Sequence, residues 1–371
     1  LPASPSAGDV VAVSDYAGTS DTNNITIGRN GSNINGAAAD LTISNENSAV
    51  TLVYVDGTQG WKATDTSSLT DIELQPAYIT ATGGTITCSG DYKIHTFTGP
   101  GTFTVSTIGN PIGGPSNVDY LVVAGGGGGG NGQYAGGGGG AGGYRESSGV
   151  ASGSYTASPL GACVSALPVS VQGYTITVGG GAPTITAPTR PGGDGSNSTF
   201  STIISTGGGG GGGGANAPGV GAAGGSGGGS ATYGCTAGGA GNTPPVSPPQ
   251  GNAGGNVGDF AGTATKGGGG GGATSAGTGS TTPPTSAAGP GGNGATSSIT
   301  ASPVTRAGGG GGSTDLGGPQ GTGGPGGGGN GDNGSSATAG TVNTGSGGGG
   351  GKGNGGGGGS GIVIIRYKFQ N

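Results

Sequence analysis

Residues 119–147 read DYLVVAGGGGGGNGQYAGGGGGAGGYRES, an apolar β-strand that passes without a break into glycine. Runs of five or more glycines recur at 125–130, 136–140, 207–214, 267–272, 308–312, 347–351 and 355–359, with shorter Gly-rich segments near 224–229, 238–241 and 326–329. An ordered glycine loses backbone entropy of roughly 1–2 kcal/mol, so one such run alone stays disordered and only many runs together can order cooperatively. With 105 glycines and 22 prolines in 371 residues, the composition by itself is that of a disordered, low-complexity chain. The strongly apolar strands that bracket the runs argue for order instead.

Extended polyglycine can adopt the polyproline II geometry, a left-handed threefold helix that rises ~3.1 Å per residue and points every backbone donor and acceptor sideways. Without Cβ atoms, such rods can surround one another and exchange N–H to C=O bonds. The expected fold is therefore all-β plus polyglycine II: an N-terminal β-domain, a small β-sheet, then a bundle of roughly ten polyglycine II helices closed by a C-terminal strand. Pairing of the strands at 120–124 and 362–367 in one sheet requires an even number of alternating rods. That count assigns the connections 131–135, 215–223, 242–266, 313–325 and 352–354 to an exposed tip, and 141–206, 230–237, 273–307 and 330–346 to the sheet side. Collagen would need glycine at every third position, which runs of six and eight glycines break. The many GxGxxG matches arise from composition, and Lys352 is followed by Gly353 rather than Ser or Thr, so no Walker A motif is complete.

The remaining chain divides by pattern. Residues 1–66 carry short β-branched runs, among them DVVAVSDY, NNITIGRN, DLTIS and SAVTLVYVDGTQGW, separated by turn residues. Val50, Leu52 and Tyr54 face one way and Val53 and Val55 the other, so this domain is expected to finish its core against other copies of itself, as a homotrimer. Residues 67–83 read as a linker, 84–124 as a hairpin about Gly99-Pro100-Gly101 plus the first bracketing strand, 125–361 as the glycine bundle with inserted strands near 174–205, and 362–371 as the closing strand. The opening at Leu1 without methionine reads as the C-terminal part of something longer, or as a processed product.

Composition narrows the chemistry. A net charge of -6 with 7% charged residues argues against nucleic acid as partner, which calls for clustered Lys and Arg. No apolar run approaches the ~20 residues that cross a bilayer, so membrane insertion is not expected. Cys88, Cys163 and Cys235 are widely spaced without CxxC, and read as free thiols rather than a disulfide framework or a zinc site. His95, the only histidine, falls on a strand in KIHTFT away from an evident nucleophile. GGDGSNSTF at 192–200 reads as a turn rather than a calcium repeat. No enzyme activity, cofactor or metal is expected.

Composition departs from glycine in the connections assigned to the tip. Tyr134, Asn242, Pro244, Pro245, Pro248, Pro249, Phe260 and Leu316 are the candidate receptor-binding residues, because aromatic and apolar side chains on a rigid scaffold suit recognition. The bland alternative is that they seal the rod ends.

YLVVAGGGGGG, HTFTGPGTFTV and SGIVIIRY resemble the glycine-rich domain common in tail-fibre and structural proteins of tailed phages, especially marine phages. The β-rich stretch from LPASPSAGDVVAVSDYAGT to VTLVYVDGTQGW is similar to a β-domain that often precedes it. In architecture the glycine field also resembles the tip adhesins on the long tail fibres of T-even-like phages, whose layered polyglycine II rods present variable loops to bacterial receptors. The resemblance implies a virion protein at the distal part of a tail fibre that attaches to a host-surface glycan or outer-membrane protein, beside upstream fibre or tail proteins. A virion decoration or whisker fibre without receptor binding is the alternative, and an ice-binding protein a more distant one.

Overall fold

The computed structural model describes residues 1–66, 72–74, 76–132, 134–153, 155–186, 190–213, 219–231, 237–257, 266–280, 287–315, 318–334 and 336–370. The first unit holds β1 (Val10–Ser14), β2 (Ile25–Ile27), β3 (Leu41–Ile43), β4 (Ala49–Asp56), β5 (Gly60–Thr66) and β6 (Ile72–Leu74). They form two small antiparallel sheets, β1-β4-β5 and β2-β3-β6. Alternation along β4 buries Val50 and Leu52, which meet Ile27, Ile34, Leu41, Ile43 and Trp61 in one core. A single copy thus encloses that core, while Val10 and Val55 stay exposed. β6 lies in the stretch expected as a linker, and pairs with β3 from Leu41↔Leu74 to Ile43↔Ile72.

The second unit is a sandwich built from β7 (Thr80–Thr82), β8 (Thr85–Ser89), β9 (Tyr92–Phe97), β10 (Gly101–Thr107), β11 (Asn117–Val123), β12 (Tyr144–Glu146), β13 (Leu167–Pro168), β14 (Gly173–Thr177), β15 (Ser198–Phe200), β16 (Ile203–Ser205) and β19 (Ile362–Lys368), with a separate hairpin of β17 (Ala295–Ser297) and β18 (Val304–Arg306). One sheet runs β16-β15-β14-β10-β7 and the other β12-β11-β19-β9-β8, with β13 added to β11. Strands β11 and β19 pair antiparallel from Asp119↔Arg366 to Val123↔Ile362, as their apolar patterns suggest. The Gly99-Pro100-Gly101 turn is corrected: β9 and β10 do not pair, and the turn carries the chain from one sheet to the other. The reason is that Phe97 and Phe103 both enter the core between the sheets, with Tyr120, Val122, Ile176, Phe200, Val363 and Ile365. On the opposite face of β11 and β19, Leu121, Val123, Ile362 and Ile364 are covered by Tyr144, Ala295, Ile299 and Ala307. Burial on both faces explains the unbroken apolar runs LVV and IVII.

The first unit meets the sandwich at a cleft lined by Arg29, Ala39 and Asp40 on one side and Ala77, Thr107 and Val171 on the other. Thr107 ends β10, whereas Gly101 at its start lies opposite Ile176, just before the chain enters the glycine field. First unit, sandwich and glycine field therefore follow one another in that order.

The glycine segments belong to no strand, yet their backbone polar groups are bonded to one another with a period of three. The N–H groups of Gly125 and Gly128 donate to Ser196 and Gly193, those of Gly126 and Gly129 to Gly359 and Gly356, and those of Gly127 and Gly130 to Gly140 and Gly137. Its carbonyls accept from three further segments, through Gly208 and Gly211, Ala182, and Gly348 and Gly351. The segment 136–143 repeats the scheme: residues 137, 140 and 143 donate to 212, 209 and 206, while 138 and 141 donate to 268 and 271. A Cβ built on Gly127, Gly129 or Gly139 would stand 2.2, 1.9 and 2.1 Å from a neighbouring carbonyl oxygen. No real Cβ tolerates that approach, so glycine is required there.

The same bonding extends beyond the consecutive glycines. Segments 178–186, 190–197, 219–225, 251–257, 276–280, 287–294, 321–324 and 338–341 join the array, although each mixes glycine with Ala, Thr, Asn or Pro. The bonded array therefore takes in more segments than the consecutive glycines mark, which changes the end at which several connections lie. Gly221 donates to Ala237 and Gly224 to Ala240, so 219–225 comes back toward the sandwich as an extra segment rather than serving as a connection. Consequently Ala231 and Ala237 flank the end away from the sandwich, and 242–250 lies against it. Likewise Pro325–Gly327 and Val342–Gly345 turn beside the sandwich, while Asp332 and Asn333 lie at the far end. Asn131, Tyr134 and the connection 352–354 do lie at the far end, where Asn131 bridges both Arg190 and Gly351.

Candidate functional site

The far end is where the array stops and side chains take over the bonding of its last peptide groups. Ser313 Oγ accepts from Gly136 N–H at 2.7 Å, and Ser230 Oγ accepts from Val257 N–H at 2.8 Å. Asn131 is buried and its Nδ2 donates to the Gly353 carbonyl at 2.5 Å. The buried carboxylate of Asp332 accepts from the N–H groups of Gly334 at 2.6 Å and Lys352 at 3.3 Å. Lys352 Nζ in turn pairs with Asp315 Oδ1 at 2.5 Å. Lys266 is buried as well, and burial holds its ammonium below the ordinary lysine value.

Of the candidate recognition residues, Tyr134 is at this end and half-buried. Phe260 and Leu316 lie outside the described residues; Val257 and Lys266, which flank the first, are at the far end, as is Asp315 beside the second. Asn242, Pro244, Pro245, Pro248 and Pro249 are not at the tip. Asn242, at φ 51°, closes the loop on itself, its Oδ1 accepting from Val246 N–H at 3.1 Å and Gln250 N–H at 3.2 Å. Gln250 then anchors the loop to the sandwich: its Oε1 accepts from Thr206 N–H at 2.9 Å and its carbonyl from Tyr144 N–H at 2.8 Å. Pro244, Pro245 and Pro249 are exposed there and Pro248 half-buried. The far-end residues that the sequence reading passed over are Asn131, Arg190, Asp315, Asp332 and Lys352. The available signal was that each is a polar side chain standing at the end of an extended segment.

Polar groups elsewhere serve the fold. His95 Nδ1 donates to the Gly83 carbonyl at 2.7 Å, which leaves Nε2 to accept from Tyr367 OH at 3.0 Å. Burial lowers its affinity for a proton, and no nucleophile touches it among the contacts described. Asp119 accepts from Ser147 Oγ at 2.7 Å and Ser152 N–H at 2.6 Å. Glu146 accepts from Tyr144 OH at 2.9 Å, Ser158 N–H at 2.9 Å and Ser297 Oγ at 2.5 Å. These carboxylates, on β11 and β12, fasten the loop after β12 and the β17-β18 hairpin to the sandwich. Among the described residues, Cys88 and Cys163 are exposed free thiols and no group of His, Cys, Asp and Glu is placed to hold a metal ion. Cys235 lies outside the described residues.

A family model described as a glycine-rich domain matches residues 96–368. No curated protein matches the chain.

Proposed function

The chain belongs to the glycine-rich domain family, and we propose that its glycine field is a bundle of polyglycine II helices that presents the far-end connections as the host-attachment surface of a phage tail fibre. Support for the helices is the period of three: consecutive N–H groups turn to three different neighbours and the fourth returns to the first, as a threefold helix requires. The observation that carries attachment is the polarity of the molecule. Sandwich and first unit occupy one side of the array, and its opposite end presents Asn131, Tyr134, Asp315, Asp332 and the 352–354 turn on a backbone-bonded scaffold. A preorganised scaffold reduces the entropy lost when a loop binds, and several copies in a homotrimeric fibre would multiply weak contacts. The partner is a host-surface receptor, the place of action is the virion, and no cofactor takes part.

The test uses the exposed thiols. With all three cysteines replaced by serine, a bulky polymer is attached either at a restored Cys88 on the sandwich or at Asn354→Cys on the far end, and binding to intact bacteria that the parent particle adsorbs to is measured. Binding blocked by the far-end polymer alone is the expected result. Equal binding by both conjugates overturns the far-end reading, and absence of saturable binding by the parent chain favours a structural virion appendage. Replacing 243–249 by a short Gly-Ser turn should leave binding intact.

A further inference from the structure

Four connections that are far apart in sequence are tied into one surface at the far end. Asn131 Nδ2 holds the 352–354 turn through the Gly353 carbonyl. Asp332 holds the same turn through Lys352 N–H while it fixes its own through Gly334 N–H. Lys352 reaches across to Asp315, bonding both its carboxylate, at 2.5 Å, and its carbonyl, at 3.4 Å. The Arg190 carbonyl accepts from Asn131 N–H at 2.8 Å, which brings a fifth segment alongside. Charges of both signs meet here: Lys352 is paired with Asp315, the Lys266 side chain and the Asp332 carboxylate are buried, and Arg190 is exposed. Tyr134, half-buried, leaves the same stretch as Asn131.

We propose that these connections form one recognition face for an uncharged saccharide of the host surface. The inference rests on the adhesin reading and names its partner. A face of amide, hydroxyl and backbone groups whose charges are mostly paired or buried bonds sugar hydroxyls without a counter-charge. The apolar side of a phenol ring such as that of Tyr134 suits the C–H face of a pyranose. Among the described residues an anionic ligand would find Lys352 paired with Asp315 and Lys266 buried, which leaves Arg190 as the cation in reach, and a protein partner would call for a larger apolar centre than those residues supply. Asp332 is a positioning residue here, since it acts through the turns it fixes.

The experiment measures binding of the full chain to adsorbing bacteria before and after periodate oxidation of surface sugars, after protease shaving, and across a salt series up to about 0.5 M, where ionic attraction is screened within a few Å. Saccharide recognition requires binding that falls at least about tenfold after periodate, survives protease and is flat in salt. Tyr134→Ala, with unchanged thermal unfolding, should weaken binding about tenfold; Asp332→Ala should weaken it too, with Asp332→Asn recovering most of the loss. Loss on protease treatment alone identifies a protein receptor and overturns the proposal, as does a steep decline with salt. Tyr134→Ala binding like the parent also overturns it, by moving recognition elsewhere. A parent chain that binds no untreated cell removes the adhesin reading itself.

Discussion

At the scale of single residues, glycine is required by proximity in some places and merely present in others. Gly139 sits where a Cβ would stand 2.1 Å from the Gly127 carbonyl oxygen, whereas a Cβ on Gly180 would meet nothing within 4 Å. Gly139→Ala should therefore cost roughly 2–4 kcal/mol, as overpacking against rigid backbone does, while Gly180→Ala should be neutral or stabilising by up to about 1 kcal/mol. Thermal unfolding of the two variants checks the contrast. A second residue-scale effect belongs to the first unit. Burial alone would raise the Asp15 carboxyl, but hydrogen bonds from the backbone and hydroxyl of Ser20 and from the Thr19 and Asn47 backbone outweigh it and hold the value at about 2. The folded value lies below the ordinary carboxylate value of about 3.9, so its contribution is complete above pH ~4 and disappears as the pH falls to about 2. Trp61, the only tryptophan, is buried in the same unit, and its fluorescence reports the urea midpoint. The parent midpoint should fall between pH 4 and pH 2, and Asp15→Asn should begin lower and change less.

At the scale of elements, phase matters more than composition. In the segment 219–225, Val220 and Ala223 are exposed while Gly221 and Gly224 are buried, so side chains occupy the outward phase of a three-residue repeat. Ala237 and Ala240, Ala253 and Asn256, and Pro319, Thr322 and Pro325 follow the same rule. The double change Gly221→Ala with Ala223→Gly keeps the composition but aims a Cβ at the Gly228 carbonyl oxygen, 1.9 Å away. It should lower array stability by at least about 2 kcal/mol, whereas Ala223→Thr should stay within about 0.5 kcal/mol; hydrogen exchange of the array amides distinguishes them. This repeat also explains what the sequence disclosed and what it hid. Consecutive glycines announce interior segments such as 125–130 because every phase there is inward. Peripheral segments keep glycine only at inward positions, and VGAAGG or PQGTGGPG then looks like a connection. One uncounted peripheral segment, 219–225, was enough to send the proline loop 242–250 to the wrong end. The pairing of β11 with β19 was legible because both strands are apolar on both faces. The Asn131, Asp332 and Lys352 contacts were not, because they join residues whose proximity depends on that same count.

At the scale of the whole molecule, order in the glycine region comes from closure of a network rather than from an apolar core. Only 29% of residues are hydrophobic, and the clusters they form lie in the first unit, in the sandwich and where the sandwich joins the array. The innermost segment, 125–130, depends on neighbours that arrive at the end of the chain: Gly126 and Gly129 donate to Gly359 and Gly356, and the Gly127 and Gly130 carbonyls accept from Gly348 and Gly351. Strand β19 lies between β11 and β9 in the middle of its sheet, so the same C-terminal residues also join two parts of the sandwich. An ordered glycine that loses its hydrogen bonds retains an entropy cost of roughly 1–2 kcal/mol with nothing to offset it. Removal of residues 346–371 should therefore abolish protection throughout the array, including segments such as 287–294 that do not bond to the deleted part. The first unit has a separate core around Trp61 and should remain folded. Hydrogen exchange of the truncated chain, read together with Trp61 fluorescence, decides the matter: uniform loss in the glycine region beside a native tryptophan signal is expected. Protection that survives in 251–294 would mean that the array is built from independent parts, and that the far-end face can form without the closing strand.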